Sequence, residues 1–367
     1  MKKILIIFLI MILALTAVSC GAGSYPPVES TAEERSILIT FDYDGEEYDI
    51  TYELYRALFL NNREAVDGGD RSVWTSENNA EYVKKIEDII VNSAAEIFAT
   101  LHHAKKIGIN PYSREIESLI DEFIRIGVEG SQDANGAHEG FGGDYDKYLE
   151  SLKEMNLNYS TQVMLCRYAI CYKKIVEYYA GTYDADNPST DMSHGKLEYT
   201  DKDVLDFYSG EDSVRVILAT LDSRSFSKTR ANEIRDRIAS FGSLDAVKNY
   251  IKGFTASTVA DVEKGVLIGK YSLDPAFYSE LTKAAFSIEL DETSQVVEVS
   301  TDEGDYYFIL YRTEKTSEYL DSCRADVTHV YVKNCIGKLL SDTKDAIAST
   351  RVDTVRLNML DRGEIKM

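Results

Sequence analysis

The sequence predicts an α+β chain: mainly helical, with a small α/β block inserted before the helices return. Three observations lead there. Apolar residues recur in steps of three and four across residues 77–126 and 144–179, the period of a helix with one buried face. A β-branched run, Val214-Arg215-Val216-Ile217-Leu218-Ala219, then breaks that pattern, and further strand-like runs follow at 295–300 and 306–311. Helical spacing resumes over 318–348. With 367 residues and 44% hydrophobic content the chain can bury genuine cores and divides into two or three domains of ordinary size.

The first twenty residues read as an address. Lys2 and Lys3 precede an apolar run over 4–18, about 15 residues long, which suits a signal-peptide core better than a membrane span of about 20. It closes on Ala17-Val18-Ser19-Cys20-Gly21, which resembles a bacterial lipobox, with Ala17 where Leu is usual. That resemblance implies removal of 1–19 and diacylation of Cys20, and two acyl chains suffice for stable anchoring. Residues 20–35, small and polar with Pro26 and Pro27, read as a tether. The expected location is extracytoplasmic, lipid-anchored to the bacterial cell membrane.

Between 36 and 48, Ile37, Ile39 and Phe41 alternate against Leu38, Thr40 and Asp42, and Asp44-Gly45 marks a hairpin turn. Thr51 is a candidate cap for a helix carrying Tyr52, Tyr55, Leu58 and Phe59, broken by Gly68-Gly69. Ser76 or Asn78 would cap a long helix running to Ile107, with Val83, Ile86, Ile90, Ala94, Ile97 and Leu101 on its apolar face, ended by Gly108 and Pro111. Helices are expected at 113–126, 144–155 and 160–179, with a glycine-rich loop over 127–143 and a polar boundary loop over 182–196. After a short helix at 201–208 come the strand at 214–219, helices near 227–240, 243–251 and 275–286, two strands joined by residues 301–304, and a helix over 318–348. A short apolar stretch closes the chain around 352–360.

Charge excludes one class of partner. Asp and Glu number 62 against 40 Lys and Arg, for a net charge of -22. Nucleic-acid binders need a basic face, and no basic cluster occurs, so nucleic acid is not an expected partner. The same surplus favours encounter with basic segments of a partner.

The order of these blocks resembles the SurA/PrsA-type parvulin foldases, in which a peptidyl-prolyl isomerase module sits inside a helical chaperone domain. The residues that carry it are Asp44-Gly45-Glu46 through Ile50-Thr51-Tyr52-Glu53-Leu54-Tyr55, Ala104-Lys105-Lys106-Ile107-Gly108-Ile109, Val216-Ile217-Leu218, Gly265-Val266-Leu267-Ile268-Gly269, and Ala284-Ala285-Phe286 followed by Asp291-Glu292-Thr293-Ser294, Val296-Val297 and Gly304. The resemblance implies a helical SurA-like domain over 36–212, a parvulin-like domain over 213–313 and returning helices over 314–367. It implies unfolded or nascent secreted polypeptides as partners and no cofactor.

An isomerase of this kind lowers a rotation barrier of roughly 18–20 kcal/mol by gripping the proline ring and stabilising a twisted amide. The family places two histidines and a Cys or Asp there. Val216 stands at the first histidine position, Tyr306 or Tyr307 at the second, and Thr258, within one or two residues, at the third. The catalytic shell is therefore read as degenerate, and no residue is assigned a confident catalytic role. Phe277, Leu281 and Phe286 align with the proline slot; their helical spacing is equally that of an ordinary core face.

Other chemistry finds little support. His102 and His103 are adjacent and cannot share a helical face, and His138, His194 and His329 lie elsewhere without a nucleophile at a useful spacing. Asp184-Ala185-Asp186 opens like a calcium loop, but Pro188, Ser189 and Gly195 fall at positions that need a ligand, a glycine and a glutamate. Asp133-Ala134-Asn135-Gly136 has its glycine two positions early; both read as solvated turns, and no metal is expected. Cys166, Cys171, Cys323 and Cys335 show no zinc spacing; they are either buried thiols or a bridge between two packed helical regions. The 25 tyrosines suit either an adaptable contact surface or amphipathic helix packing.

Overall fold

The computed structural model describes residues 25–76, 79–133, 136–138, 140–181, 195–257, 259–271, 279–301 and 304–366. The signal segment, Cys20, the loop 182–194 with its calcium-like start, Thr258 and Phe277 lie outside them. In chain order the elements are β1 (Ile37–Tyr43), β2 (Glu46–Thr51), α1 (Tyr52–Asn62), α2 (Glu64–Asp67), α3 (Ala80–Lys106), α4 (Arg114–Glu129), β3 (Ser131–Asp133), β4 (Gly136–His138), α5 (Tyr145–Glu154), α6 (Tyr159–Ala180) and α7 (Asp201–Ser209). Then follow β5 (Ser213–Asp222), α8 (Lys228–Ala239), α9 (Leu244–Ile251), α10 (Val259–Lys264), β6 (Val266–Gly269), α11 (Ser279–Ser287), β7 (Val297–Thr301), β8 (Gly304–Thr313), α12 (Ser317–Ser322), α13 (Arg324–Ala348), β9 (Arg351–Asp353) and α14 (Val355–Asn358). The chain is α+β, as its sequence pattern predicts. It divides into two compact units, one up to Ile175 with Leu340 onward, the other Val176–Leu339.

In the first unit the hairpin turns at Asp44 and Gly45, both at positive φ (54° and 76°), the conformation that a two-residue turn matching strand twist requires. The expected alternation fails at the start of β1. Ile37 pairs with Thr51 but Ile39 with Ile50, so Leu38 is an extra, bulged residue. Leu38 and Ile39 are consequently both buried and Ile37 is turned to solvent. Thr51 caps α1, its hydroxyl accepting the Leu54 amide. The long helix α3 starts later than its sequence signals imply: Asn79 is the cap residue, with no side-chain bond to the helix, and Asn78 lies outside the described residues. Its apolar face holds Ile86, Ile90, Ala94, Ile97 and Leu101. Ser113 and Asp144 cap α4 and α5, which pack with α6 through Ile116, Ile120, Phe123, Leu152 and Cys166. The glycine-rich stretch is partly ordered as the β3–β4 hairpin, and Gly127 belongs to α4.

The tail does more than extend a helix. β9 pairs antiparallel with β1, giving the sheet order β2-β1-β9. Arg351 and Arg362 both donate to Glu87 on α3. The helix expected over 318–348 is broken at Cys323, whose backbone (φ −126°, ψ 29°) leaves the helical region between α12 and α13.

The second unit is built on a four-stranded antiparallel sheet ordered β6-β5-β8-β7. Among the described residues three helices join β5 to β6, and one joins β6 to β7. Both faces of β5 are covered, which explains its continuous apolar stretch over 216–219. Ile217, Ala219 and Leu221 meet Ala231, Ile234 and Ile238 of α8 and Val247 and Ile251 of α9. Val214 and Val216 meet Leu281 and Ala285 of α11. A third cluster joins Val204 and Phe207 of α7 to Leu267, Tyr319 and Val327. Ser227 and Ser243 cap α8 and α9 through their hydroxyls.

Candidate functional site

The face of the sheet that carries α11 gathers most of the described residues singled out in the sequence. Side chains alternate along a strand, so Val216, Leu218 and Thr220 share one side of β5, and Tyr306, Phe308 and Leu310 the same side of β8. Val216 and Leu281 are fully buried there, while Phe286 and Tyr306 are half-buried beside Leu218 and Val297. Tyr307 is the exception, because the alternation sends it to the opposite face, against the α8–α9 core. Of the two tyrosines, only Tyr306 faces the Val216 side.

Register sets the reach between them. Val216 pairs with Arg312, whereas Tyr306 pairs with Asp222 at the far end of β5. Six residues of strand separate the two positions, roughly 20 Å. Val216 thus sits in closed core under α11, and Tyr306 stands at the open end. Phe308, opposite Thr220 and Val297, bridges the interval, its ring 6.3 Å from that of Tyr306. Phe308, Leu218 and Val297 were not among the candidate site residues of the sequence, although stepping by two from Tyr306 reaches Phe308 and from Val216 reaches Leu218.

Hydroxyls supply the polar groups here. β6 ends opposite Val216, leaving the rest of that β5 edge without a strand partner. Residues 255–257 take its place: the Ala256 amide donates to the Thr220 carbonyl at 2.9 Å, and the Thr220 amide donates to Thr255 Oγ1 at 2.9 Å. This brings Ser257 Oγ to 3.0 Å from Thr220 Oγ1, with a further bond to the Leu218 carbonyl at 3.1 Å. Ser257 directly precedes Thr258, where the resemblance places a Cys or Asp. Leu218, Thr220, Ser257, Phe286, Val297, Tyr306 and Phe308 carry no carboxylate, amine, thiol or imidazole; the carboxylate at this open end is Asp222, opposite Tyr306 and held by the Arg224 guanidinium. Such a surface holds an apolar ring and offers hydroxyl hydrogen bonds, and its carboxylate, Asp222, is kept ionised by the bond from Arg224, which lowers its pKa.

The neighbouring cations are structural. Arg215 donates to the carbonyls of Lys264 and Glu314 and lies 4.3 Å from the Tyr319 ring. Lys315 donates to the carbonyls of Gly210 and Ser213, and desolvation lowers its pKa to about 8. Cys166, Cys171, Cys323 and Cys335 are all free thiols. Among the described residues no three His, Cys, Asp or Glu side chains gather as a metal site needs, and no helix is long and apolar enough to cross a membrane.

The sheet, its inserted helices and this apolar face define a small α/β module within a mainly helical chain. Among solved structures the chain is similar to the foldase protein PrsA of Streptococcus pneumoniae str. Canada MDR_19A (13% identity over 86% of this chain and 96% of that one, TM-score 0.24). It is similar also to PrsA of Bacillus subtilis (14% identity, 91% and 100% of the two chains, TM-score 0.24) and to the PrsA foldase of Lactococcus lactis (12%, 90% and 99%, TM-score 0.22). No protein-family model and no curated protein matches it.

Proposed function

We propose that this chain is an extracytoplasmic foldase of the holding kind: it is anchored through lipid on Cys20 and captures unfolded secreted polypeptides. Its parvulin-like module, residues 213–313, has lost isomerase chemistry. The observation that supports this reading is the composition of the α11 face: Val216 and Tyr306, which the resemblance aligns with the family's histidines, stand among aliphatic and aromatic side chains with the hydroxyls of Thr220 and Ser257 and one carboxylate, Asp222, already paired with Arg224. The half-buried Phe286 and Tyr306 would grip apolar client residues, and Phe277 would join them.

Two assays test it together. A protease-coupled assay on an Ala-Pro peptide is expected to show no rate above the uncatalysed one, while aggregation of several unrelated unfolded clients is suppressed. Catalysis abolished by Ser257→Ala or Tyr306→Phe would instead make the Thr220–Ser257 pair part of a working, divergent isomerase. Silence towards every client would point to a receptor or scaffold for one dedicated partner. Mass spectrometry of the membrane fraction should find the lipid on Cys20, and Cys20→Ser should release the protein.

A further inference from the structure

In the first unit α1, α3 and α6 enclose a cavity of about 50 Å³. Its floor is aliphatic, from Leu54, Leu58, Ile97, Leu157 and Leu165. A second, open hollow of about 390 Å³ lies beside it, bordered by Lys85, Asp88, Asn92 and Lys344. Ser93 and Glu96, one turn apart on α3, line both. The two spaces therefore meet at one wall: a wide mouth bordered by ionic groups and Ile89 on one side, a narrow apolar floor on the other, and the Glu96 carboxylate between them. Tyr168, also on the cavity wall, donates its hydroxyl to Glu96 Oε1 at 2.9 Å. The second carboxylate oxygen has no hydrogen-bond donor among the described residues. Desolvation raises the pKa of this carboxyl, so a further donor there would relieve a real cost.

The dimensions select the occupant. A floor of this size is well below the roughly 150 Å³ that takes a benzene ring, so it admits the branched end of Leu, Ile or Val and no aromatic. A free amino acid would leave most of the mouth unfilled. An extended peptide fills it, offering an N–H toward Glu96 and carbonyls toward Lys85 and Lys344. Building on the foldase reading, we propose that the two adjoining spaces act as one subsite for one aliphatic side chain of an extended client polypeptide, whose backbone N–H is accepted by the second Glu96 oxygen.

The test uses blocked peptides, each with one central Leu, Ser or Trp in a Gly/Ser background, titrated calorimetrically onto the full chain. The Leu peptide should bind at least tenfold tighter than the others. Ala57→Leu, which fills the cavity from its wall, should erase that preference, its folding checked by thermal melting. Glu96→Gln keeps an acceptor for Tyr168 and should weaken the Leu peptide about threefold, so the proposal stays testable even should the first variant fail to fold. Equal affinity for the three peptides, or free leucine binding as tightly as the Leu peptide, overturns it. Client aggregation is followed in parallel: suppression without peptide preference removes the subsite alone, whereas preference without suppression removes the foldase reading and leaves the subsite.

Discussion

Glu87 accepts a hydrogen bond from Arg351 at 2.7 Å across 264 residues of sequence. Arg362 donates to its other oxygen and to the Tyr55 hydroxyl. One half-buried carboxylate thus ties the tail to both α1 and α3. Glu87→Ala removes the acceptor shared by the two guanidinium groups, leaving Arg351 to Asp353 and Arg362 to Tyr55 and the Leu360 carbonyl, and is expected to destabilise the first unit by about 1–3 kcal/mol, with Glu87→Gln costing roughly half. Urea unfolding measures both; a change below about 0.5 kcal/mol for Glu87→Ala would mean that the tail is held by other contacts.

Acid should loosen the same unit through α3. His103 is 4% exposed, and desolvation, with Lys106 beside it, pushes its pKa down to about 4; burial lowers that of His102 as well. A base whose folded pKa is depressed is protonated more readily when unfolded. The stability at stake is full above the unfolded value near 6.5 and is lost as pH falls toward 4, by up to about 3 kcal/mol. Melting followed from pH 7 to 4 should show this slope, and His103→Gln should flatten it.

Gly269 ends β6 against the side chain of Asn334, where an added Cβ would stand 2.9 Å from Oδ1. That oxygen accepts the Tyr271 amide at 2.8 Å. Gly269→Ala is expected to cost about 1–3 kcal/mol by displacing Asn334. In an Asn334→Ala background the same change should cost far less, and a double-mutant cycle measures the difference; additive costs would place the strain elsewhere.

Tyr306 and Tyr307 should separate by face. Tyr306 is half-buried at the open end of the α11 face, whereas Tyr307 is packed into the opposite core. Tyr307→Ala is expected to cost about 3 kcal/mol or more of stability. Tyr306→Ala should cost under about 1.5 kcal/mol and act mainly on client capture. Aggregation assays on melting-matched samples decide; equal loss of stability in both would deny the open end a separate role.

The elements whose cause is local were legible from residues alone. The Asp44-Gly45 turn and the Thr51 cap stand where the pattern puts them, and helices begin at Ser113, Ser227 and Ser243 as their spacing predicts, each held by a bond to its own neighbours. What escaped depends on distant partners. The bulge at Leu38 appears only once β2 is paired with β1. β6 is four residues long and takes its identity from β5. β9 has three residues, none fully buried, and exists because β1 offers it an edge. At the candidate site, alternation from Val216 names Leu218 in advance. The distance from Val216 to Tyr306 follows from the β5–β8 register, which no residue spacing encodes.

The pairing of β9 with β1 also sets a timetable. The partners of Ile39 and Phe41 are Asp353 and Arg351, so the first strand made waits for nearly the last. At ribosomal rates that is a delay of roughly 15–60 s. Until then β1 carries an open edge and the first sheet stays incompletely closed, so the last segment translated completes the fold of the first.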